Sequence, residues 1–121
     1  MRLSMHSILV FVPDLDGARE FYGGILGLDL VRAESGFQIY HGNNFRLVVF
    51  LGMTQVPNTK YSQDAGTSIA FSVSDLNEAI AELTAKGVPI LHASPNEGPI
   101  GRYVAFANPF GTVHELVESV E

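Results

Sequence analysis

The alternation of hydrophobic and polar positions predicts the same set of elements twice along the chain. A short strand begins near Ser7 and another near Ser68, and each leads into apolar residues at helical spacing. The helical positions are Leu15, Ala18, Phe21, Tyr22 and Ile25 in the first half and Leu76, Ala79, Ile80 and Leu83 in the second. The pattern therefore predicts one helix after the first strand of each half.

Three more strands are predicted after each helix, from short runs of β-branched and aromatic residues bounded by turn formers. They span about 29–32, 37–41 and 45–51 in the first half, and about 88–92, 102–108 and 112–118 in the second. Asp14 and Asp75 stand at the N-cap positions of the helices, and Gly27 and Gly87 fit the left-handed residue that ends them. Each half is therefore predicted to be a β-α-β-β-β module.

The two halves also repeat in sequence. SILVFVPDLDGA, which begins at Ser7, aligns without a gap on SIAFSVSDLNEA, which begins at Ser68, at an offset of 61 residues. The polar stretch 52–66 separates the halves and is rich in turn formers. We therefore expect a single domain, residues 1–121, with a first module of about 1–51, a linker of about 52–66 and a second module of about 67–121.

Strand alternation predicts which side chains share one face of each sheet. Superposing HGNNFRLVVF on ANPFGTVHEL pairs Val49 with Glu115 in the last strands of the two halves. Alternate residues of a strand point to the same face of a sheet. The expected lining is apolar with a few hydroxyls and consists of Ser7, Leu9, Phe11, Leu47, Val49 and Leu51 from the first half and Ser68, Ala70 and Ser72 from the second.

Composition and charge narrow the class of protein. An apolar fraction of 46% in 121 residues suits one globular domain. A formal charge of −6 with only seven Lys and Arg argues against nucleic acid as a partner. No apolar run approaches the roughly 20 residues of a membrane span, and the chain has no cysteine. We expect a soluble, unprocessed protein of the cytoplasm that has no membrane partner.

Two segments carry a family resemblance. VPDLDGAREFYGGILGLDL and NPFGTVHELVE, with Asn108 where the family usually has Asp, resemble the vicinal oxygen chelate superfamily of glyoxalases, bleomycin-resistance proteins and extradiol dioxygenases. The resemblance implies an α+β fold in which two tandem β-α-β-β-β modules with curved mixed sheets form a cup. It also implies a homodimer.

In metal-binding members of that superfamily, the resemblance implies two ligands from each half. The matching positions here are Ser7, Val49, Ser68 and Glu115, of which only Glu115 carries a metal-ligating side chain. Divalent ions need several charged or imidazole ligands. We therefore expect no metal ion or other cofactor, and a divalent metal is the alternative.

The four histidines do not form a metal motif by their spacing. His6, His41, His92 and His114 show no helical i, i+4 pair. His6 is next to Ser7 but should point the other way, and His114 should face away from Glu115, because neighbouring strand residues alternate faces. We expect ordinary surface or half-buried histidines, with a cluster formed by the fold left open for His41 and His92.

Glu115 and Arg102 are the candidate chemical groups. Glu115 lies among aliphatic residues in VHELV, and a pocket position would let it bind a ligand, pair with Arg102 or Arg46, or act as a general base. Arg102 stands at the start of a predicted strand, where a guanidinium suits a carboxylate or phosphate ester.

Two functions of different classes remain. The first is a metal-free small-molecule binding protein that holds an apolar or aromatic ligand, as bleomycin-resistance members do. The second is a divalent-metal-dependent lyase, isomerase or dioxygenase with Glu115 as ligand or base. Two imidazoles within ligand distance of Glu115 would favour the second.

Overall fold

The computed structural model describes residues 1–52 and 66–119 and contains two four-stranded mixed sheets, one in each half of the chain. The chain divides into two compact units, Met1–Val56 and Pro57–Glu121. The predicted α+β class is confirmed. The predicted linker, residues 52–66, lies outside the described residues except for its two end residues.

The first unit is a β-α-β-β-β module. Its sheet has the order β1-β4-β3-β2, in which β1 and β4 are parallel and the other neighbours are antiparallel. The elements are β1 (Ile8–Val12), α1 (Leu15–Ala18) with a π-helical continuation (Arg19–Ile25), β2 (Asp29–Ala33), β3 (Phe37–Gly42) and β4 (Phe45–Leu51). The three strands predicted after the helix are confirmed in place and type.

The second unit repeats this order of strands. Its sheet has the order β5-β8-β7-β6, with β5 parallel to β8. The elements are β5 (Ala70–Ser72), α2 (Leu76–Ala85), β6 (Asn96–Gly98), β7 (Gly101–Ala107) and β8 (Val113–Ser119).

The predicted helix ends are confirmed in both units. The Asp14 carboxylate accepts hydrogen bonds from the backbone N–H groups of Asp16 and Gly17, and the Asp75 carboxylate accepts one from Glu78. Gly27 and Gly87 have φ values of 74° and 80°, which disfavour any residue with a side chain. None of the helices in the described part of the chain has the length and apolar character that a membrane span requires.

A buried polar bridge joins the first sheet to the start of its helix. Gln38 on β3 donates from Nε2 to the backbone carbonyl of Leu15 at 2.9 Å. The Tyr40 hydroxyl donates to Gln38 Oε1 at 2.7 Å, and both side chains are buried. Burial raises the pKa of Tyr40, which keeps its hydroxyl protonated as a donor. The bridge fixes Gln38 and Tyr40 on the helix-covered face of the sheet.

The second unit ties its helix to its sheet with a carboxylate. Glu118 on β8 accepts a hydrogen bond from the backbone N–H of Leu76, the first residue of α2, at 2.9 Å. The same carboxylate accepts one from Arg102 on β7 at 3.1 Å. Glu118 therefore satisfies a free amide of the helix start and neutralises Arg102.

The strand predicted at 88–92 is wrong as a continuous strand. Residue Ile90 forms only an isolated bridge with Phe106 on β7. The next available amide of β7, that of Ala105, donates to the side-chain Nδ1 of His92 at 3.1 Å. Pro89 has no N–H to contribute, and the imidazole takes the place of a backbone acceptor, so the ladder ends there. Strand β6 then forms later, at Asn96–Gly98, where none was predicted.

The motif NPFG forms the turn between β7 and β8. Asn108 is buried, and its Oδ1 accepts hydrogen bonds from the backbone N–H groups of Phe110 and Thr112, both at 2.9 Å. Gly111 follows with φ of 90°. The loop covers residues 108–112, whereas the corresponding loop between β3 and β4 has only Asn43 and Asn44.

An aromatic cluster under α2 contains a buried histidine. His114 is 1% exposed and contacts the Phe71 and Phe106 rings edge-on, with centroid distances of 5.6 and 5.7 Å. Burial lowers the pKa of His114 to about 4. The imidazole is therefore neutral in the folded protein near neutral pH.

We predict that His114 makes the protein sensitive to mild acid. Unfolded His titrates near its ordinary pKa of about 6.5, so stability is full above that pH and falls as the pH drops toward 4, because only the unfolded chain takes up the proton in that window. Between pH 7 and pH 5 the loss is about 2 kcal/mol. Urea unfolding at both pH values should show a smaller loss for His114→Leu.

The exposed His41 supplies the control, because His41→Leu also removes a histidine but leaves the buried imidazole in place. Equal losses of unfolding free energy in the wild type and in His114→Leu would contradict the prediction.

Candidate functional site

Glu115 lies in the middle of the second sheet, on the face opposite α2. It pairs with Ala70 on β5 and with Ala105 on β7, and it is half-buried. Strand alternation places Ser72 on the same face as Ala70. The neighbours of Glu115 on this face, Ala70, Ser72 and Ala105, are therefore all small. Ser68, just before β5, is exposed, and its hydroxyl donates to the backbone carbonyl of Val113 at 3.4 Å.

The neighbouring His114 points the other way, as predicted. It pairs with Phe106, while Glu115 pairs with Ala105, so the two side chains lie on opposite faces of β8. Burial also keeps the imidazole neutral by lowering its pKa to about 4. His114 therefore belongs to the core and does not assist Glu115.

The corresponding face of the first sheet is apolar and exposed. We call it the open face; it lies opposite the helix and consists of Ser7, Leu9, Phe11, Phe37, Ile39, His41, Arg46, Val48 and Phe50. Leu9 and Phe11 are 52% and 59% exposed. The Phe11 ring stacks on Phe50 with a centroid distance of 5.6 Å and an angle of 20° between the planes. The predicted grouping of Leu9 and Phe11 on one face is confirmed, and Ser7, directly before β1, stays a prediction from alternation.

The prediction that Val49 shares this face is wrong. Val49 pairs with Val10, is fully buried and faces the helix, as does Leu47. Val48 pairs with Leu9 as Glu115 pairs with Ala70, so Val48 is the true counterpart of Glu115. The ungapped superposition of the hairpins missed this because their loops differ in length, and a slip of one residue exchanges the two faces.

Arg102 forms an ion pair within the chain, whereas the sequence suggested that it binds a ligand. It pairs across the strands with Glu118, on the face opposite Glu115, and its Nη1 donates to Glu118 Oε1 at 3.1 Å. A second carboxylate, that of Glu97, lies 3.9 Å from Arg102 Nε. The cation that was predicted to clamp a ligand's acidic group is thus neutralised by the chain itself.

The donor set at the expected metal-ligand positions does not fit a divalent ion. Ser7 offers a hydroxyl that hydrogen-bonds His6 Nδ1 at 2.8 Å, Val48 offers no donor, and the Ser68 hydroxyl is directed to the backbone. Within residues 1–52 and 66–119, no three His, Asp or Glu side chains gather where they could hold an ion. A single carboxylate, Glu115, is too weak a site by itself.

Phe50 on β4 was missed at the sequence level, and Arg46 was considered only as a possible partner of Glu115. Phe37 and Phe50 extend the aromatic part of the open face, and Arg46 pairs with His41 at its other end. The signal was the alternation of β4 itself, which is readable once the Asn43–Asn44 turn fixes the register.

Comparison with known protein families shows to which family the chain belongs. The sequence profile of the Glyoxalase/Bleomycin resistance protein/Dioxygenase superfamily matches residues 4–116. The chain belongs to this superfamily. No curated protein sequence matches this superfamily member significantly.

Solved structures of the superfamily share the fold over nearly the whole chain. The fosfomycin resistance protein FosX from Listeria monocytogenes is 18% identical, with a TM-score of 0.80 over 99% of this chain and 94% of FosX. A putative glyoxalase family protein from Bacillus anthracis is 21% identical, with a TM-score of 0.76 over 98% and 99% of the two chains. The antibiotic binding protein TnmS3 from Streptomyces sp. CB03234 is 25% identical, with a TM-score of 0.74 over 98% of each chain.

The superfamily includes proteins that bind a divalent metal. FosX has been crystallised in complex with Mn(II) and a sulfate ion. In the present chain the donor set described above differs from what such an ion requires, because only Glu115 supplies a charged ligand.

We predict that Arg102 stabilises the fold and does not bind a ligand. Arg102→Gln removes the ion pair with Glu118 and should lower the unfolding free energy by about 1 kcal/mol in urea titrations. Lys86→Gln is the control, because the Lys86–Glu82 pair is exposed and should contribute less than about 0.5 kcal/mol. If Arg102→Gln leaves the unfolding free energy unchanged and weakens binding of an acidic ligand, Arg102 is a ligand-binding residue and this prediction is wrong.

Proposed function

We propose that this protein binds a small apolar or aromatic molecule without a metal ion, in the manner of bleomycin-resistance members of its superfamily. The observation that carries the proposal is the exposed Phe11 ring stacked on Phe50 in the open face. Exposing large apolar side chains together on one sheet face to water is unfavourable, so a molecule that covers them is bound favourably. A flat ligand that stacks on Phe11 would provide that cover.

The second sheet supports the same class of ligand. Around Glu115 the sheet face opposite α2 carries Ala70 and Ser72, which are exposed, and Ala105, which is buried. All three side chains are small, and Ser72 offers a hydroxyl. We assign to Glu115 the role of a hydrogen-bond acceptor for a ligand, and Ser7 and Ser68 remain candidate polar contacts. TnmS3, an antibiotic binding protein, is a superfamily member whose function is of this kind.

The proposal extends to assembly and location. A second copy of the chain would cover the sheet edges that each four-stranded sheet leaves unpaired, so we propose a homodimer. The absence of cysteine from the sequence is compatible with a cytoplasmic protein, which we propose as its location.

We predict that Phe11 contributes directly to binding. The fluorescent neutral probe N-phenylnaphthylamine, titrated in the presence of EDTA, should bind the wild type, and Phe11→Ser should weaken binding by roughly tenfold because it removes a ring contact. Ile100→Ser is a matched control, since Ile100 is 63% exposed in the second unit. Equal effects of the two substitutions, or no binding to the wild type, would contradict the proposed function.

A metal-dependent enzyme remains the alternative, and the retained Glu115 is what favours it. Protein purified without an affinity tag, equilibrated with Zn²⁺ or Mn²⁺ and desalted, should carry far less than a stoichiometric amount of ion by elemental analysis, because one carboxylate and two hydroxyls make a weak site.

Glu115→Ala and the control Glu97→Ala, which removes an exposed carboxylate of the same unit, complete this test. Stoichiometric binding that is lost in Glu115→Ala and kept in Glu97→Ala would contradict the metal-free proposal and favour the alternative.

A further inference from the structure

A pocket with cationic and imidazole groups lies at one end of the first sheet. Its volume is about 350 Å³, and its lining includes Met5, His6, His41, Asn44, Phe45 and Arg46. It lies beside the two-residue turn between β3 and β4, where Asn44 has a left-handed φ of 69°. The Phe45 ring lies directly over Gly42, in space that the β-carbon of any other residue would occupy. Gly42 and the left-handed Asn44 therefore determine the shape of this end of the sheet.

The Arg46 guanidinium in this pocket has N–H groups that can donate hydrogen bonds to a ligand. Among the described residues, it forms a hydrogen bond with His6 Nε2, which is long at 3.5 Å. The cations Arg32, Lys86 and Arg102 each lie within ion-pair distance of a carboxylate. Among residues 1–52 and 66–119, no carboxylate lies within that distance of Arg46. A half-buried guanidinium with free donors is suited to an oxyanion from outside the chain.

Along the strands, the residues of the open face change from polar to aliphatic and then to aromatic. Strand register places its residues in three rows: Arg46 with His41, then Leu9 with Val48 and Ile39, and then Phe11 with Phe50 and Phe37. Rows two residues apart along a strand are separated by about 6.6 Å, so about 13 Å separates the first row from the third. An extended Arg side chain covers part of that distance.

The acidic residue in the first row, Asp29, is not within ion-pair distance of Arg46. Asp29 on β2 pairs in register with His41 on β3, so it lies two strands away from Arg46 on β4. Neighbouring strands are about 4.8 Å apart, which puts the Asp29 backbone roughly 10 Å from that of Arg46. The row therefore keeps its positive end, in a chain whose formal charge is −6.

From these observations we infer that the ligand is an organic anion: a flat apolar body over Leu9, Phe11 and Phe50 with an acidic oxyanion held by Arg46. The inference rests on the proposed function and adds the charge and orientation of the ligand. His41 and Asn44 supply further polar contacts at the acidic end. Because the whole chain is negative, selective binding of an anion requires a local cation. On the open face Arg32 is paired with Glu34, whereas Arg46 has no carboxylate within ion-pair distance among the described residues.

Two dyes with the same ring system test the inference. Anilinonaphthalene sulfonate carries an acidic group, and N-phenylnaphthylamine is its neutral analogue. Arg46→Gln should weaken binding of the sulfonate about tenfold and change binding of the neutral dye by less than about twofold. Arg46→Lys keeps the charge but loses the planar fork, so it should weaken sulfonate binding less than Arg46→Gln does. Arg19→Gln, an exposed cation on the helix, should affect neither dye.

The outcomes separate this inference from the proposed function. If Arg46→Gln leaves both dissociation constants unchanged or raises both equally, while Phe11→Ser still weakens the neutral dye, the anion site is wrong and the apolar site stands. If neither dye responds to Phe11→Ser, both proposals fail. Urea unfolding of each variant confirms that it is folded when it is titrated.

Displacement of the bound sulfonate dye identifies the acidic group. Naphthoate and naphthyl phosphate present a carboxylate and a phosphate ester on the same rings. Displacement by one of them that depends on Arg46 supports the inference and assigns the class of acid. If neither displaces the dye from the wild type better than from Arg46→Gln, Arg46 does not recognise the acidic group.

Discussion

The first unit depends on the buried bridge from Tyr40 through Gln38 to the Leu15 carbonyl. Both side chains lie on the helix side of β3, where an amide or hydroxyl without a partner would be costly to bury. A shift of one residue in β3 would break both hydrogen bonds and bury His41 in place of Tyr40. The bridge therefore specifies which residues of the sheet are core and which are exposed.

The second unit reaches the same result with different chemistry. Glu118 binds the first amide of α2 and the Arg102 guanidinium, where the first unit uses a neutral amide and a phenol. An ion pair on a half-buried strand end tolerates water, whereas the Gln38–Tyr40 bridge is fully enclosed. The sequence repeat thus preserves the helix caps and strand order, while each unit uses its own way of attaching the helix to the sheet.

Local signals predicted most of the fold. The N-cap carboxylates, the left-handed glycines and the alternation around Ser7 and Ser68 all depend on neighbours in sequence, and all were readable. Two features were not readable, because they depend on residues distant in sequence. The His92 side chain replaces a backbone acceptor for β7, and the unequal hairpin loops shift Val49 out of register with Glu115.

The same limitation applied to the candidate site. Leu9 and Phe11 follow from strand alternation alone, but the pairing of His41 with Arg46 appears only when β3 and β4 are aligned across their turn. The partner of Arg102 was likewise hidden, since Glu118 lies sixteen residues further along the chain. Charged residues of a sheet are thus hard to assign from sequence, because their cross-strand neighbour determines whether they are available to a ligand.

Strand β4 divides its residues between two faces. Residues 46, 48 and 50 lie on the open face, where we propose that the ligand binds, while Leu47 and Val49 alternate with them and are fully buried in the core. Side chains on opposite faces of a sheet do not touch, so substitutions in the two sets should act nearly independently. Evolution can therefore alter ligand preference at three positions of one strand while the core that folds the unit stays intact, a route by which one superfamily can serve many different small molecules.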